Sequence, residues 1–196
     1  MEKKYTTIQE GSMLRIKALK AFGIVGEGEL GGLIESEKNL SQSGDAWVYG
    51  DAWVYGDARV YGNARVSGDA EVYGKARVSG DAEVYGDAEV YGNARVSGNA
   101  EVYGDAEVYG DAEVYGNARV SGNADIIVFK NWWSSGRWFT WTRSNDMWKV
   151  GCFYGTGEEL IKKAYADSEL SGREYERIVK YVESIKETVN ELSKNA

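Results

Sequence analysis

The sequence contains no histidine and no proline, and it has a single cysteine, Cys152. Without histidine the chain lacks the commonest general base near neutral pH and the commonest metal ligand, so neither a metal nor a cofactor is expected. With one cysteine no disulfide forms within the chain, and a reducing, cytoplasmic compartment is expected. Cys152 stands between Gly151 and Phe153 with no base beside it. It is expected to pack in an apolar site and not to act as a nucleophile. Long apolar runs are also missing. Nothing approaches the roughly 18 residues of a membrane span, and no apolar run follows Met1-Glu2-Lys3-Lys4 to suggest a signal peptide. Basic residues are outnumbered, 23 Lys and Arg against 31 Asp and Glu, for a net charge of −8. That balance argues against nucleic acid as a partner, because phosphate binding calls for a surplus of cations.

What is abundant is glycine, 25 residues with no proline beside them, which points to regular turns and not to flexible linkers. From Asp45 to Val128 the chain repeats every six residues as G-D/N-A-x-V-Y/S, for example GDAEVY and GNARVS. A fixed short period is the signature of a solenoid. Strand side chains alternate, so Ala and Val two positions apart face the same side and form the interior, while x and Y/S face out. Glycine followed by Asp, Asn or Lys makes the corner, where a positive φ or a side-chain-to-backbone bond is needed.

Three such strands close a coil of 18 residues. This unit, an aliphatic residue followed four positions later by a small one, as in Val48 and Ala52, resembles the left-handed parallel β-helix of hexapeptide-repeat proteins. The resemblance covers residues 45–128. It implies the fold and says little of function. The best-known proteins of this kind are acyltransferases and zinc carbonic anhydrases, whose chemistry depends on histidine, so neither activity carries over and a non-enzymatic protein is expected. An ice-binding surface would show Thr-x-Thr ladders, which are absent. The corner row Asp51, Asp69, Asp87 and Asp105 offers oxygen ligands, but corner aspartates ordinarily bond their own turn.

Reading every eighteenth residue gives three unlike faces. The first carries Trp47, Arg65, Glu83, Glu101 and Arg119. The second carries Trp53, Glu71, Glu89, Glu107 and Asp125 beside Tyr55, Tyr73, Tyr91, Tyr109 and Ile127. The third carries Arg59, Arg77, Arg95 and Glu113. Like charges on neighbouring rungs, about 4.8 Å apart, repel by roughly 1 kcal/mol in water. Either the faces are merely solvated or an opposite surface meets them. A homotrimer is expected in the second case, with Arg59, Arg77 and Arg95 of one copy against Glu71, Glu89 and Glu107 of the next, and Tyr73, Tyr91 and Tyr109 adding apolar area.

Residues 1–44 depart from the repeat and read as an N-terminal cap, with a strand at Met13–Leu19 and an irregular first coil at Gly31–Glu35. Residues 129–196 form a small α+β domain. An aromatic hairpin is expected around the turn Ser144-Asn145-Asp146. A helix opens at the capping box Thr156-Gly157-Glu158-Glu159 and runs to about Ala166. A second is expected from the box Ser171-Gly172-Arg173-Glu174 to about Lys194, with Tyr175, Ile178, Val179, Val182, Ile185, Val189 and Leu192 as an apolar stripe. The hairpin has two readings that can coexist. It is a core that packs on the last coil, or it is a binding surface on which Trp132, Trp133, Trp138, Trp141 and Trp148 stack rings while Arg137, Arg143 and Lys149 meet an anion.

The segments Trp141-Thr142-Arg143-Ser144-Asn145 and Met147 through Leu160 resemble the tail of phage and prophage hexapeptide-repeat proteins, some labelled polymer-forming cytoskeletal. The resemblance implies a virus-associated protein in the cytoplasm of a bacterial host. Two functions follow as expectations. One is a non-catalytic binding or assembly protein that inhibits a host pathway by gripping a host protein or sequestering an anionic small molecule. The other is a structural polymer or virion component.

Overall fold

The computed structural model describes residues 2–194, with side chains described as far as Lys186. An antiparallel hairpin, β1 (Tyr5–Glu10) and β2 (Met13–Ala18), leads into β3 (Leu30–Ile34). Two-residue strands then follow at six-residue intervals, β4 (Trp47–Val48) through β16 (Arg119–Val120). They form a parallel β-solenoid of about five coils, each of about 18 residues. Hydrogen-bonded neighbours fall into three sheets. One is β1-β2-β3-β5-β8-β11-β14, one is β16-β13-β10-β7-β4, and one is β15-β12-β9-β6. These are the three faces that the period of 18 predicts. Every repeat Ala from Ala46 to Ala118 and every repeat Val from Val48 to Val120 is buried in a continuous core. At the corners glycine stacks over glycine. Gly68 sits at φ +72°, and an added Cβ would come within 2.9 Å of the Gly86 nitrogen, so only glycine fits.

All rungs run in the same direction, so the two ends of the solenoid are chemically different. Most of the N–H groups that bridge coils donate to a carbonyl of the next coil, as Glu83 N does to Ala100 O at 2.9 Å. The first coil is therefore left mainly with open carbonyls and the last mainly with open N–H groups, and buried backbone groups must be paired. The N-terminal cap supplies donors. Lys4 Nζ donates to Gly44 O and Ala46 O, and Asn39 Nδ2 to Gly56 O and Ala58 O. Desolvation lowers the Lys4 ammonium to a pKa of about 8. The C-terminal cap supplies acceptors, one per face. Asn123 Oδ1 accepts from Glu107 N at 3.0 Å, Thr140 Oγ1 from Glu113 N at 2.9 Å, and Ser144 Oγ from Arg119 N at 2.7 Å.

The C-terminal unit is an antiparallel sheet, β17 (Ile126–Lys130), β18 (Trp138–Thr142), β19 (Met147–Val150) and β20 (Phe153–Gly155). Helices α1 (Gly157–Asp167) and α2 (Glu169–Lys194) follow it. The capping box at Thr156 and Glu159 is formed as expected.

Five expectations need correction. Ile126 and Ile127 do not continue the stack. They start β17, which pairs with β18, and Asp125 turns back to accept from Ser121. The start of α2 is not the box at Ser171; Ser168 Oγ accepts from Ser171 N, and the helix opens at Glu169. Trp47 is not on the surface, because Tyr5 and Phe22 cover it edge-on at 6.0 and 5.3 Å between ring centroids. Cys152 is exposed in the turn between β19 and β20. Trp141 and Trp148 are core residues, treated below. Of the α2 stripe, Tyr175, Val179 and Val182 pack on the aromatic sheet; Val189 and Leu192 lie outside the residues whose side chains are described.

The tyrosines of the second face form a ladder. Tyr55, Tyr73, Tyr91 and Tyr109 stack with centroids 4.9, 4.9 and 5.4 Å apart. Tyr55 donates to Glu71, Tyr73 to Glu89 and Tyr91 to Glu107 at 2.8–3.1 Å. Burial, then the bond to a carboxylate, then that carboxylate's charge hold Tyr55, Tyr73 and Tyr91 above the ordinary phenol pKa, and Tyr85 on the first face is raised likewise. The folded pKa of these acids is raised, so the unfolded chain loses its phenolic protons first. Stability is present below about pH 10 and is lost as the pH rises above it. Absorbance titration of the phenolate band is expected to show these tyrosines ionising only with alkaline unfolding. A single reversible titration of all tyrosines near pH 10 in folded protein would contradict the ladder.

Candidate functional site

Relief of like charge differs among the three faces. On the first face Arg65 pairs with Glu83 at 3.1 Å and Arg119 with Glu101 at 2.9 Å. On the second, phenols donate to the glutamates. On the third, Arg59, Arg77 and Arg95 are direct register neighbours. Only at its end does Arg95 meet an acid, Glu113 at 3.7 Å. Among the described residues no carboxylate lies within ion-pair distance of Arg59 or Arg77.

This face is a trough, not a plane. Towards the C-terminus the aromatic sheet overhangs it and encloses a groove of about 370 Å3. The solenoid contributes Lys75, Arg77, Asn93, Arg95, Asp111 and Glu113 to this groove; the sheet contributes Arg137, Trp138, Thr140 and Lys149. Five cations thus face two carboxylates. Glu113 is already tied to Lys149 at 3.1 Å and to Arg95. Towards the N-terminus the cap forms a second hollow with Lys38, Arg59 and Tyr61, and Arg77 lines both. Gly136, at φ +62°, turns the chain into β18, and Gly151, at φ +56°, turns it between β19 and β20.

Trp138 is half-buried in the wall of the groove, and it also lines a neighbouring concavity of about 260 Å3 with Glu107, Tyr109, Asn123, Ile126 and Val128. The ammonium of Lys130 lies 5.5 Å from the Trp138 ring and 4.0 Å from that of Trp132.

Of the eight residues that the sequence nominates for ligand binding, the structure brings Arg137, Trp138 and Lys149 to the groove. Trp141 and Trp148 are 3% and 2% exposed and pack with Phe139, Leu160, Tyr175 and Val179. They are corrected to core, because β18 and β19 turn these side chains towards the helices. Trp132 and Trp133 are exposed on a loop that Asn131 Oδ1 holds by accepting from Trp133 N and Ser134 N. Arg143 is exposed and its backbone N–H donates to Asp125 O, away from the groove. Sequence reasoning assigned Arg77 and Arg95 to a copy-to-copy contact and missed that they share the groove with Arg137. It also missed Lys75, although its signal was visible: GKARVS places lysine where the repeat elsewhere has Asp or Asn.

Part of the chain is similar to the YdcK beta solenoid repeat. That family's model matches residues 58–74, 88–104 and 112–124, which lie in the coils and reach the first residues of the C-terminal cap. No curated protein matches the chain. Of the groove residues the matched stretches include Asn93, Arg95 and Glu113, while Arg77, Arg137, Trp138 and Lys149 lie outside them. Among the described residues no helix is long and apolar enough to cross a membrane.

Proposed function

We propose that the protein is a non-catalytic binding protein, and that its solenoid holds an anionic ligand in the groove between the arginine face and the aromatic sheet. The observation that carries this reading is the row Arg59, Arg77 and Arg95, of which only Arg95 meets an acid among the described residues, and the recess in which Arg77 and Arg95 are joined by Lys75, Arg137 and Lys149 within a chain of net charge −8. Holding like charges on adjacent rungs costs stability, and an anion in the recess offsets that cost. Guanidinium groups are suited to the task because they meet carboxylate or phosphate in bidentate fashion. The groove holds five cations against two carboxylates, of which Glu113 is engaged in ion pairs, and this surplus supports a role in holding an anion. The tail's resemblance to phage and prophage proteins supports a protein that withholds its ligand from a host pathway.

The capped ends support a closed particle over an end-to-end polymer. Open carbonyls at one end and open N–H groups at the other would pair if bare, but Lys4, Asn39, Asn123, Thr140 and Ser144 occupy the groups they reach. A second reading, a homotrimer through the second and third faces, draws on the charge complementarity of Glu71, Glu89 and Glu107 with the arginine row. Against it, both caps raise walls around the arginines, and the glutamates already accept from tyrosines.

Calorimetric titration with inorganic pyrophosphate tests the first reading. Saturable binding that weakens steeply as salt is raised is expected. No binding at low salt would overturn it. Light scattering on the same sample separates a monomer from a ring.

A further inference from the structure

Resting on that reading, we propose that the ligand is a nucleotide, with its phosphates on Arg77, Arg95 and Arg137 and its base beside Trp138 in the concavity that reaches Tyr109. The geometry behind this is that one tryptophan, Trp138, lines two unlike hollows. On one side lies the cationic groove of about 370 Å3, and on the other the concavity of about 260 Å3, floored by Ile126 and Val128 and bounded by the phenol of Tyr109, which is 55% exposed. A small inorganic anion or a dicarboxylate would use only the first hollow. An anion joined to a flat ring would use both, and stacking of a base on an aromatic side chain contributes independently of the phosphate contacts.

The second hollow also carries polar groups that suit a base edge. Asn123 accepts from Glu107 N through Oδ1, which leaves its amide NH2 directed elsewhere as a donor. Glu107 accepts from Tyr91 through Oε2, which leaves Oε1 as an acceptor for an exocyclic amine, the pairing by which carboxylates read amino-bearing bases. The carboxylate would repel a phosphate, so the two hollows also set the ligand's direction. Trp138 is held for this purpose at both ends. Its backbone pairs with Lys130 across β17 and β18, and the Lys130 ammonium lies beside its ring.

The test is calorimetric titration of the full chain with ADP, IDP, inorganic pyrophosphate and a hexaglutamate peptide, in parallel with tryptophan fluorescence. ADP is expected to bind at least tenfold more tightly than pyrophosphate and to quench fluorescence. IDP, in which an oxo group replaces the amine, is expected to bind less tightly than ADP. Trp138→Leu should bring the affinity for ADP down to that for pyrophosphate measured on the same variant, with the circular dichroism unchanged, and Glu107→Gln should erase the advantage over IDP. Equal affinity for ADP and pyrophosphate would overturn the nucleotide inference and leave the anion groove standing. Tightest binding of hexaglutamate would overturn it in favour of an acidic protein segment. Binding of none of the four would overturn both this inference and the groove.

Discussion

Val84→Asp is expected to abolish the folded solenoid, while Glu83→Ser, one residue earlier, shifts the melting temperature by only a few degrees. Val84 is fully buried and stacks between Val66 and Val102 in one face of the core. The substitution removes a burial worth about 1.5–3 kcal/mol. It also places a carboxylate where Ala and Val offer no donor, at a cost of several kcal/mol. Together these approach the whole net stability of an ordinary domain, about 5–15 kcal/mol. Glu83 points out of the same strand, and its pair with Arg65 joins two side chains that are 41% and 45% exposed, worth at most about 1 kcal/mol. Thermal unfolding followed by circular dichroism measures both. A Val84→Asp protein that melts within a few degrees of the parent would mean that the interior admits water.

Reversal of Arg77 and Arg95 to Glu together is expected to weaken pyrophosphate binding at least a hundredfold, about 2.7 kcal/mol, with the melting temperature nearly unchanged. Both arginines project from exposed positions, and the one ion pair either makes among the described residues, Arg95 with Glu113 at 3.7 Å, is half-exposed. The fold therefore loses little. The groove loses two cations and gains two anions, and of its remaining cations Lys149 is committed to Glu113. Titration calorimetry at low salt reads the binding loss. Light scattering on the same variant addresses the ring. If the third face instead meets the second face of another copy, the reversal gives monomers, and adding Glu71→Arg with Glu89→Arg restores the trimer. Unchanged pyrophosphate affinity in the double variant would show that the anion binds outside the groove.

The chemistry of the two caps was partly hidden in the sequence. Thr140 and Ser144 read as ordinary strand and turn residues of a hairpin. Their role appears only once the open N–H groups of Glu113 and Arg119 lie against them. Lys4 is similar. A lysine near the start of a chain reads as a solvated charge, yet it is 2% exposed here because the first coil presents unpaired carbonyls. In the aromatic segment the number of tryptophans was plain, but not their division. Trp141 and Trp148 face the helices, Trp138 faces the groove, and Trp132 and Trp133 face solvent. A hairpin has two faces, and without the helices in place neither face is marked as core.

The sequence by itself determined the solenoid. In a parallel stack each residue meets its equivalents one coil before and one coil after, so an 18-residue spacing written in the chain is also the contact map. The inward Ala and Val, the corner glycines, the charge of each face and the Arg59-Arg77-Arg95 row could all be read from it. Only the tertiary structure decided where the stack stops and what stands over its third face. Lys149 reaches Glu113 and Thr140 reaches the same residue's N–H across stretches of chain with no repeat. That placement follows from the polarity of the stack, because the last coil ends in N–H donors and the C-terminal sheet settles where its hydroxyl and amide oxygens can accept from them, which brings Arg137, Trp138 and Lys149 over the arginines.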